Sequence, residues 1–271
     1  MINPYLAFRD EFAAAQRPVP VTLSGRRWGV TAIGAGAPLW LLPDAAIRAD
    51  AFWRIMPGFK GLRVLALDYP DSGRAEDWVD DLLALMEREK QSRVAILGAG
   101  LGGNLGQMLA ARAPARISLL VLAGTWARAA TVSARPPYDL DPRRAPLRHL
   151  RERLAYAAER EGGPAQVLEF LRHEAMERLD DASLRARVAA LREAPDLPPI
   201  DDRSDGATVI MAVQGDRLLL PSEEEALAAR FHNPVQRTFT GGDRWPYLTD
   251  PGRMVALLRE RMLLPPLSRV A

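Results

Sequence analysis

The sequence of 271 residues contains no cysteine. Disulfide bonds, thiol nucleophiles and thiolate metal sites are therefore excluded. Histidine is scarce as well, since the chain has only three, and no cluster of His, Asp and Glu has the spacing of a metal site. We therefore expect no metal and no other cofactor.

Long apolar runs are also missing. No stretch approaches the ~20 apolar residues that cross a bilayer. The N-terminal residues 1–10 lack the basic segment and apolar core of a secretion signal. We therefore expect a soluble, cytoplasmic protein without a membrane span.

Lysine is nearly absent, and arginine supplies almost all of the positive charge. The sequence pI is about 9.2, but the formal net charge is only +2. The arginines are spread among acidic residues of predicted helices, and no basic block contains interleaved aromatic residues. This pattern does not favour nucleic acid as a partner.

The apolar pattern predicts an α/β fold with a mostly parallel central sheet flanked by helices. Short apolar runs typical of buried strands alternate with longer helical segments, after a hairpin-like pair near the N-terminus. The predicted strands are 19–23, 28–33, 38–42, 62–67, 94–97, 117–122, 207–213 and 235–239.

The stretch 93–125 is the centre of this pattern, because it combines a strand, a glycine-rich turn, a helix from Leu105 and a second strand. Two interpretations fit its glycines. Gly98, Gly100 and Gly103 match the G-x-G-x-x-G of a dinucleotide-binding turn. The stretch 98–102 also matches the G-x-S-x-G of a nucleophile elbow, with Gly100 in place of the serine.

The dinucleotide interpretation, which would make the protein an oxidoreductase, is the weaker alternative. Predicted strands already precede the glycine motif, whereas a dinucleotide fingerprint normally follows the first strand. The next strand also ends in Leu122, Ala123 and Gly124, without the acidic residue that would bind a ribose.

Residues 126–205 interrupt the alternation of strands and helices. They contain a proline-rich stretch and three predicted helices, at 146–161, 164–178 and 182–193. We predict that 1–125 and 206–271 form the core, and that 126–205 form a helical cap over the carboxyl ends of the strands, where α/β sheets bind ligands.

Taken together, the chain resembles the α/β-hydrolase superfamily over nearly its whole length. The resemblance lies in the elbow-like glycine turn, in the passage 111–125, in the position of the cap, and in the loop 242–251, which is similar to the family's Gly-His-x-Pro-x-Leu-x-x-Pro. Within the superfamily, the passages 42–52, 64–70 and 240–248 resemble the maspardin branch, which also lacks the histidine.

The resemblance implies that the catalytic positions are degenerate. The nucleophile position holds Gly100, and the histidine position holds Arg244, or Asp243 if the loop shifts by one residue. The acid loop retains Asp216, although alignment on its proline would place Arg217 there. Arginine is permanently charged and cannot act as a general base.

The loop that would supply an oxyanion-hole donor reads Pro43, Asp44, Ala45, Ala46. Pro43 has no N–H to donate, and Asp44 would place a negative charge where one has to be stabilised. We therefore predict that the oxyanion hole is compromised together with the nucleophile and the base.

These observations lead to a first hypothesis of a catalytically inactive hydrolase-like protein that binds a protein partner or a small ligand, and that could form a homo-oligomer. The alternative is a non-hydrolytic enzyme of lyase, isomerase or cyclase type that reuses the pocket. The candidate pocket residues are Pro43, Asp44, Gly100, Leu101, Asp216, Asp243, Arg244 and Trp245. The histidines, His149, His173 and His232, are expected on solvated helix surfaces or ends.

Overall fold

The structure is a computed structural model that describes residues 3–200, 207–214, 216–239 and 244–264. Within these ranges eight strands form one sheet in the order β1-β2-β4-β3-β5-β6-β7-β8. The strands are β1 (Val19–Leu23), β2 (Arg26–Ile33), β3 (Ala37–Leu42), β4 (Leu62–Asp68), β5 (Val94–Ala99), β6 (Ile117–Ala123), β7 (Thr208–Val213) and β8 (Val235–Phe239).

The sheet is mostly parallel, as predicted. β1 and β2 form an antiparallel hairpin, and β2 also pairs antiparallel with β4. All pairs from β4 through β3 to β8 are parallel. Short crossovers cannot join parallel strands, so the intervening helices must cross the faces of the sheet. The predicted fold class is confirmed.

The helices cover both faces of this sheet. They are α1 (Pro4–Ala15), α2 (Ala75–Arg88), α3 (Leu101–Arg112), α4 (Ala129–Ser133), α5 (Leu147–Glu161), α6 (Ala165–His173), α7 (Asp181–Glu193), α8 (Pro221–Ala229), α9 (Pro246–Thr249) and α10 (Pro251–Arg261). A 3-10 helix, Ala49–Arg54, follows the loop after β3.

The core is divided between the two faces by strand alternation. In β3, Trp40 and Leu42 belong to one apolar cluster, whereas Leu39 and Leu41 belong to the cluster on the opposite face. All four side chains are fully buried. A strand that is buried on both sides reads as a continuous apolar run, which is why β3 was recognisable in the sequence.

The central unit places its turn at the carboxyl edge of the sheet. Leu42, the last residue of β3, pairs with Gly98 of β5, and Ala99 pairs with Ala123 of β6. The loops that follow these three strands therefore meet at one place. The helix α3 begins at Leu101, four residues before the predicted start, because the turn at Gly100 leads directly into it.

We refer to residues 126–200 as the cap segment. It contains α4 to α7, and a π-helical turn, Glu174–Arg178, continues α6. Its treatment as a separate cap domain stays a prediction. Among the described residues, no helix is both long and apolar enough to cross a membrane.

Charged side chains connect the cap segment to the core. Arg187 of α7 donates to the backbone oxygen of Ile47, at 2.9 Å, and pairs with Asp68 at the end of β4, at 3.3 Å. Glu174 is fully buried, pairs with Arg9 of α1, and accepts the backbone N–H of Arg48. The cap segment is therefore held over the carboxyl edge of the sheet.

Candidate functional site

The turn after β5 has the backbone of a nucleophile elbow. Gly100 has φ 49° and ψ −113°, a conformation that costs other residues about 1–3 kcal/mol. Its N–H donates to the backbone oxygen of Ala123, and its own oxygen accepts the hydroxyl of Thr125 at 2.8 Å. A Cβ on Gly98 would lie 2.4 Å from the oxygen of Gly102, so this turn also requires glycine at position 98.

The carboxylate of Asp44 lies directly above Gly100. A Cβ built on Gly100 would be 1.9 Å from Oδ1 and 2.1 Å from Cγ of Asp44. Asp44 is 7% exposed. A carboxylate from the loop after β3 therefore fills the space that a nucleophilic side chain would occupy.

The same carboxylate engages two backbone donors. Oδ1 of Asp44 accepts the N–H of Ala45 at 2.7 Å and the N–H of Leu101 at 3.1 Å. In an acyl-transfer site, two such donors would stabilise a substrate oxyanion. The donors that we predicted to be compromised by Pro43 are thus present, since Ala45 supplies the N–H, but Asp44 already occupies them.

Pro43 and Leu101 have structural positions. The oxygen of Pro43 accepts the N–H of Gly102 at 3.1 Å and the hydroxyl of Tyr69 at 2.7 Å. Leu101 is fully buried at the start of α3. These contacts fix the loop after β3 against the elbow, and neither side chain lines the cavity described below.

Arg244 and Asp216, which the resemblance assigns to the histidine and acid positions, form a buried ion pair. One guanidinium nitrogen, Nη1, lies 3.1 Å from both carboxylate oxygens of Asp216, and the two side chains are 3% and 2% exposed. The other, Nη2, donates to the backbone oxygen of Gly124. Burial alone would lower the pKa of Arg244, but the charges of Asp216 and Asp44 outweigh it and raise the pKa.

Asp216 also organises its own loop, because its Oδ1 accepts the N–H groups of Leu218 and Leu219, each at 2.8 Å. It therefore pairs with Arg244 and not with Arg217, whose side chain is exposed. Asp243 lies outside the described residues.

Between this ion pair and the cap segment lies a small cavity. Its free volume is about 40 Å³, far below the ~300 Å³ at which ligand pockets usually begin. Of the predicted pocket residues, Asp44, Arg244 and Trp245 line this cavity. Gly100 and Asp216 do not line it, because Asp44 covers Gly100 and Asp216 is paired with Arg244. The other lining residues are Ala46, Ile47, Pro137, Tyr138, Leu154, Ala157, Ala158, Glu161, Leu171, Ala175 and Leu218.

Tyr138 and Glu161 are polar residues of this cavity that the sequence did not single out. Burial, followed by the negative charge of Asp44, raises the pKa of the Tyr138 phenol well above its usual range, so it stays neutral. Burial also raises the pKa of Glu161, which accepts the N–H of Arg217 at 3.0 Å. Both belong to the cap segment, whose residues carry no motif that would have marked them.

The backbone N–H groups with which this turn would bind a pyrophosphate already have other acceptors. The N–H groups of Leu101 and Gly102, which would face a phosphate at the start of α3, are bonded to Asp44 and Pro43. The carboxylate of Asp44 also places a negative charge beside them. The dinucleotide interpretation therefore lacks its physical basis here.

Within the described ranges, neither the histidines nor the acidic residues form a metal site. None of His149, His173 and His232 lines the cavity, and Nε2 of His173 lies 3.5 Å from the carboxylate of Glu177 on the cap segment. Across the part of the chain that the structure describes, no group of three or more His, Asp and Glu side chains could hold a metal ion.

The comparisons with known proteins match this architecture. The sequence profile of the alpha/beta hydrolase family matches residues 33–257. A protein of Mycobacterium phage D29, named as a non-heme haloperoxidase, is 31% identical over 113 residues, which are 38% of this chain. The chain spans only 41% of that relative's length.

Two solved structures are similar over almost the whole chain. A hydrolase from Pseudomonas aeruginosa PA01 has a TM-score of 0.72 at 21% identity, with 91% of this chain and 98% of the other covered. The esterase EaEST from Exiguobacterium antarcticum has a TM-score of 0.72 at 16% identity, with 90% and 98% covered. The profile match covers most of the chain, and the chain therefore belongs to the alpha/beta hydrolase family.

Proposed function

We propose that this protein does not hydrolyse esters or amides through an acyl-enzyme, and that it binds a small ligand under the cap segment. One observation carries the proposal. The carboxylate of Asp44 occupies the side-chain space above Gly100 and accepts the N–H groups of Ala45 and Leu101.

Each part of the acyl-transfer reaction meets an obstacle in this arrangement. Gly100 has no side chain with which to attack a carbonyl carbon. Arg244 cannot take a proton from a nucleophile, because its guanidinium stays charged and is paired with Asp216. A substrate carbonyl oxygen would also have to displace Asp44 from the two backbone donors before a tetrahedral intermediate could be stabilised.

The surroundings of the cavity support a binding role. Its walls are largely apolar, and three alanines, Ala157, Ala158 and Ala175, line it from the cap segment. A small displacement of these helices would enlarge the cavity. The ligand is thus expected to be small and mostly apolar in the part that enters.

The names of the similar proteins favour an enzyme, so hydrolysis has to be tested directly. We expect the purified protein to show no turnover of p-nitrophenyl acetate or butyrate above buffer, and no labelling by a fluorophosphonate probe. Turnover that is lost on Asp44→Asn would overturn the proposal. The probe reports an activated serine anywhere in the chain, so it also detects a nucleophile at another position.

Ligand binding is tested by thermal shift with a set of small organic molecules. Ala158→Leu fills the cavity from α5, whereas Ala182→Leu adds the same bulk on the exposed surface of α7. Molecules that raise the melting temperature of the unmodified protein and of Ala182→Leu, but not of Ala158→Leu, would support binding under the cap segment. Equal shifts in both variants would contradict it.

One observation favours the second candidate, a non-hydrolytic enzyme. Asp44 lines the cavity, and its Oδ2 accepts no hydrogen bond from any residue that the structure describes. This oxygen could take a proton from a ligand beside the neutral phenol of Tyr138. Incubation of each thermal-shift hit with the protein, followed by NMR, would distinguish the two, since only an enzyme converts the ligand.

The first hypothesis also has a partner-binding form, which the maspardin resemblance implies. A protein that binds partners through its surface would show no ligand whose binding is sensitive to Ala158→Leu.

A further inference from the structure

A groove of about 520 Å³ adjoins the cavity at the cap segment. Four arginines line it and come from three separate segments. Arg135 follows α4, Arg153 and Arg160 lie on α5, and Arg217 lies in the loop after β7. Among the described residues that line the groove, Glu161 is the only acid.

Two of the four groove arginines differ from other arginines of α5 in their ionic partners. On α5, Arg148 pairs with Glu152, and Arg151 donates to backbone oxygens of the cap segment. Arg160 and Arg217, in contrast, form no ion pair with any described residue. Counted over the described residues alone, the groove therefore has an excess of positive charge.

Arg135 supplies a second, independent observation. Its Nη2 is buried and has no hydrogen-bond partner within the described part of the chain, whereas its Nε donates to the oxygen of Thr131 at 3.3 Å. A buried donor without an acceptor is unfavourable. A rotation of the Arg135 side chain towards the groove would let an oxygen of a bound anion satisfy this donor.

The groove also contains an exposed aromatic ring. Tyr156 is 60% exposed, and the guanidinium of Arg160 lies 5.9 Å from its ring centroid. A planar ligand could pack on Tyr156 while its charged group reaches the arginines. Arg153 is already paired with Asp139, so it contributes less to the charge excess.

We infer that this groove binds a small organic dianion, a phosphate monoester with an aromatic or apolar body. Guanidinium groups bind phosphate oxygens through paired hydrogen bonds, and several unneutralised arginines favour two charges over one. The inference rests on the proposed function, because the groove and the cavity share Ala157, Glu161 and Leu218. The body of the ligand would then point from the groove towards the cavity.

Calorimetric titration with phenyl phosphate tests the inference. We expect binding in the millimolar range or tighter, and a loss of at least about tenfold in affinity in the double variant Arg160→Gln/Arg217→Gln. Arg148→Gln removes an exposed arginine from the same helix and is the matched control, which should retain the affinity. Circular dichroism melts verify that all of these variants are folded.

Three results would overturn the inference. The first is equal affinity in the double variant and in Arg148→Gln. The second is binding of inorganic phosphate as tight as that of phenyl phosphate, which would mean that the body of the ligand is not recognised. The third is sedimentation with phosphatidic acid vesicles that depends on the same two arginines while phenyl phosphate does not bind, since the phosphate would then belong to a lipid.

The outcome is separable from that of the proposed function. Ester hydrolysis by the unmodified protein would refute the proposed function, yet the titration with phenyl phosphate needs no turnover and would still report on the groove. Conversely, failure of phenyl phosphate to bind would leave the absence of hydrolysis and the binding of uncharged ligands under the cap segment unaffected.

Discussion

The carboxylate of Asp44 occupies the space in which a side chain at Gly100 would lie. The carboxylate is close enough that any Cβ at position 100 would collide with it, at 1.9 Å from Oδ1. It is held there by the N–H of the residue that follows each partner, Ala45 and Leu101. A change at either residue therefore alters what the other position can accommodate.

Gly100→Ala is expected to destabilise the protein. The substitution adds a strained positive φ and the collision with Asp44, so a loss of about 1–3 kcal/mol or more in the free energy of unfolding is predicted. Denaturant unfolding measures it. Gly252→Ala is the matched control, because nothing lies within 4 Å of a Cβ there and its φ is not positive.

A double-mutant cycle isolates the contact between the two residues. Asp44→Ala removes the collision, so the double variant Asp44→Ala/Gly100→Ala should lose less stability than the sum of the single variants. Strict additivity would show that the two residues are not coupled.

Serine alone should not restore a hydrolase. In Gly100→Ser the hydroxyl has no base and its Cβ collides with Asp44, so we expect no esterase activity. In the triple variant Asp44→Gly/Gly100→Ser/Arg244→His, the two N–H donors are released and the introduced imidazole could pair with Asp216 and act as a general base. Turnover of p-nitrophenyl acetate and fluorophosphonate labelling should then rise above those of the single variant. If Gly100→Ser were as active an esterase as the triple variant, the role of Asp44 as an obstacle would be contradicted.

Removal of one partner from the Arg244 and Asp216 pair should be costly. Arg244→Met leaves the buried carboxylate of Asp216 without its cation, which predicts a loss of about 3–5 kcal/mol in the free energy of unfolding. The double variant Arg244→Met/Asp216→Leu should recover part of this loss. Arg148→Met breaks the exposed pair with Glu152 and should leave the free energy of unfolding nearly unchanged, because water screens that pair. Similar losses in Arg244→Met and Arg148→Met would contradict the buried pair.

Glu174 should make the stability depend on pH. Burial, followed by the negative charge of Asp50, raises its pKa from 4.5 to about 7. The folded state therefore binds this proton more tightly than the unfolded state. The resulting stabilisation is fully present below about pH 4.5 and is lost as the pH rises through about 7.

Denaturant unfolding between these pH values tests this contribution. Glu174→Gln should flatten the decline in stability, because the neutral amide cannot titrate, and the exposed Glu152→Gln is the control. An undiminished decline in Glu174→Gln would contradict the assignment.

Asp68 should affect the pH dependence of stability in the opposite direction. Burial would raise its pKa, but the charges of Arg187 and Arg48 outweigh burial and lower the pKa. The stabilisation from Asp68 is therefore lost only as the pH falls into the acid range.

The sequence was sufficient to predict the fold because the central strands are buried on both faces. Runs such as 38–42 and 117–122 are apolar almost throughout, and the glycines at 98, 100, 102 and 103 mark a turn that few backbones can form. The start of α3 was missed because glycines are poor helix formers in isolation, whereas here Gly102 is required by the 2.1 Å approach of a Cβ to the oxygen of Leu42.

The site was only partly predictable. The sequence itself shows that position 100 is not serine and that position 244 is not histidine. It also predicted Asp44 to be an unfavourable charge in the oxyanion hole. Its actual partners, however, include Leu101, which is 57 residues away, and are created by the contact between two loops. Tyr138 and Glu161 reach the cavity only because the cap segment folds over the sheet, and no local pattern encodes that placement.

Asp44 is covalently part of the loop whose N–H it accepts, and this has a consequence for inhibitors. A carboxylate reagent that targets the two backbone donors in related enzymes would have to compete with a carboxylate that is tethered beside them, so it competes with an intramolecular group. Reagents of this kind should therefore discriminate strongly against this protein within a mixture of hydrolases.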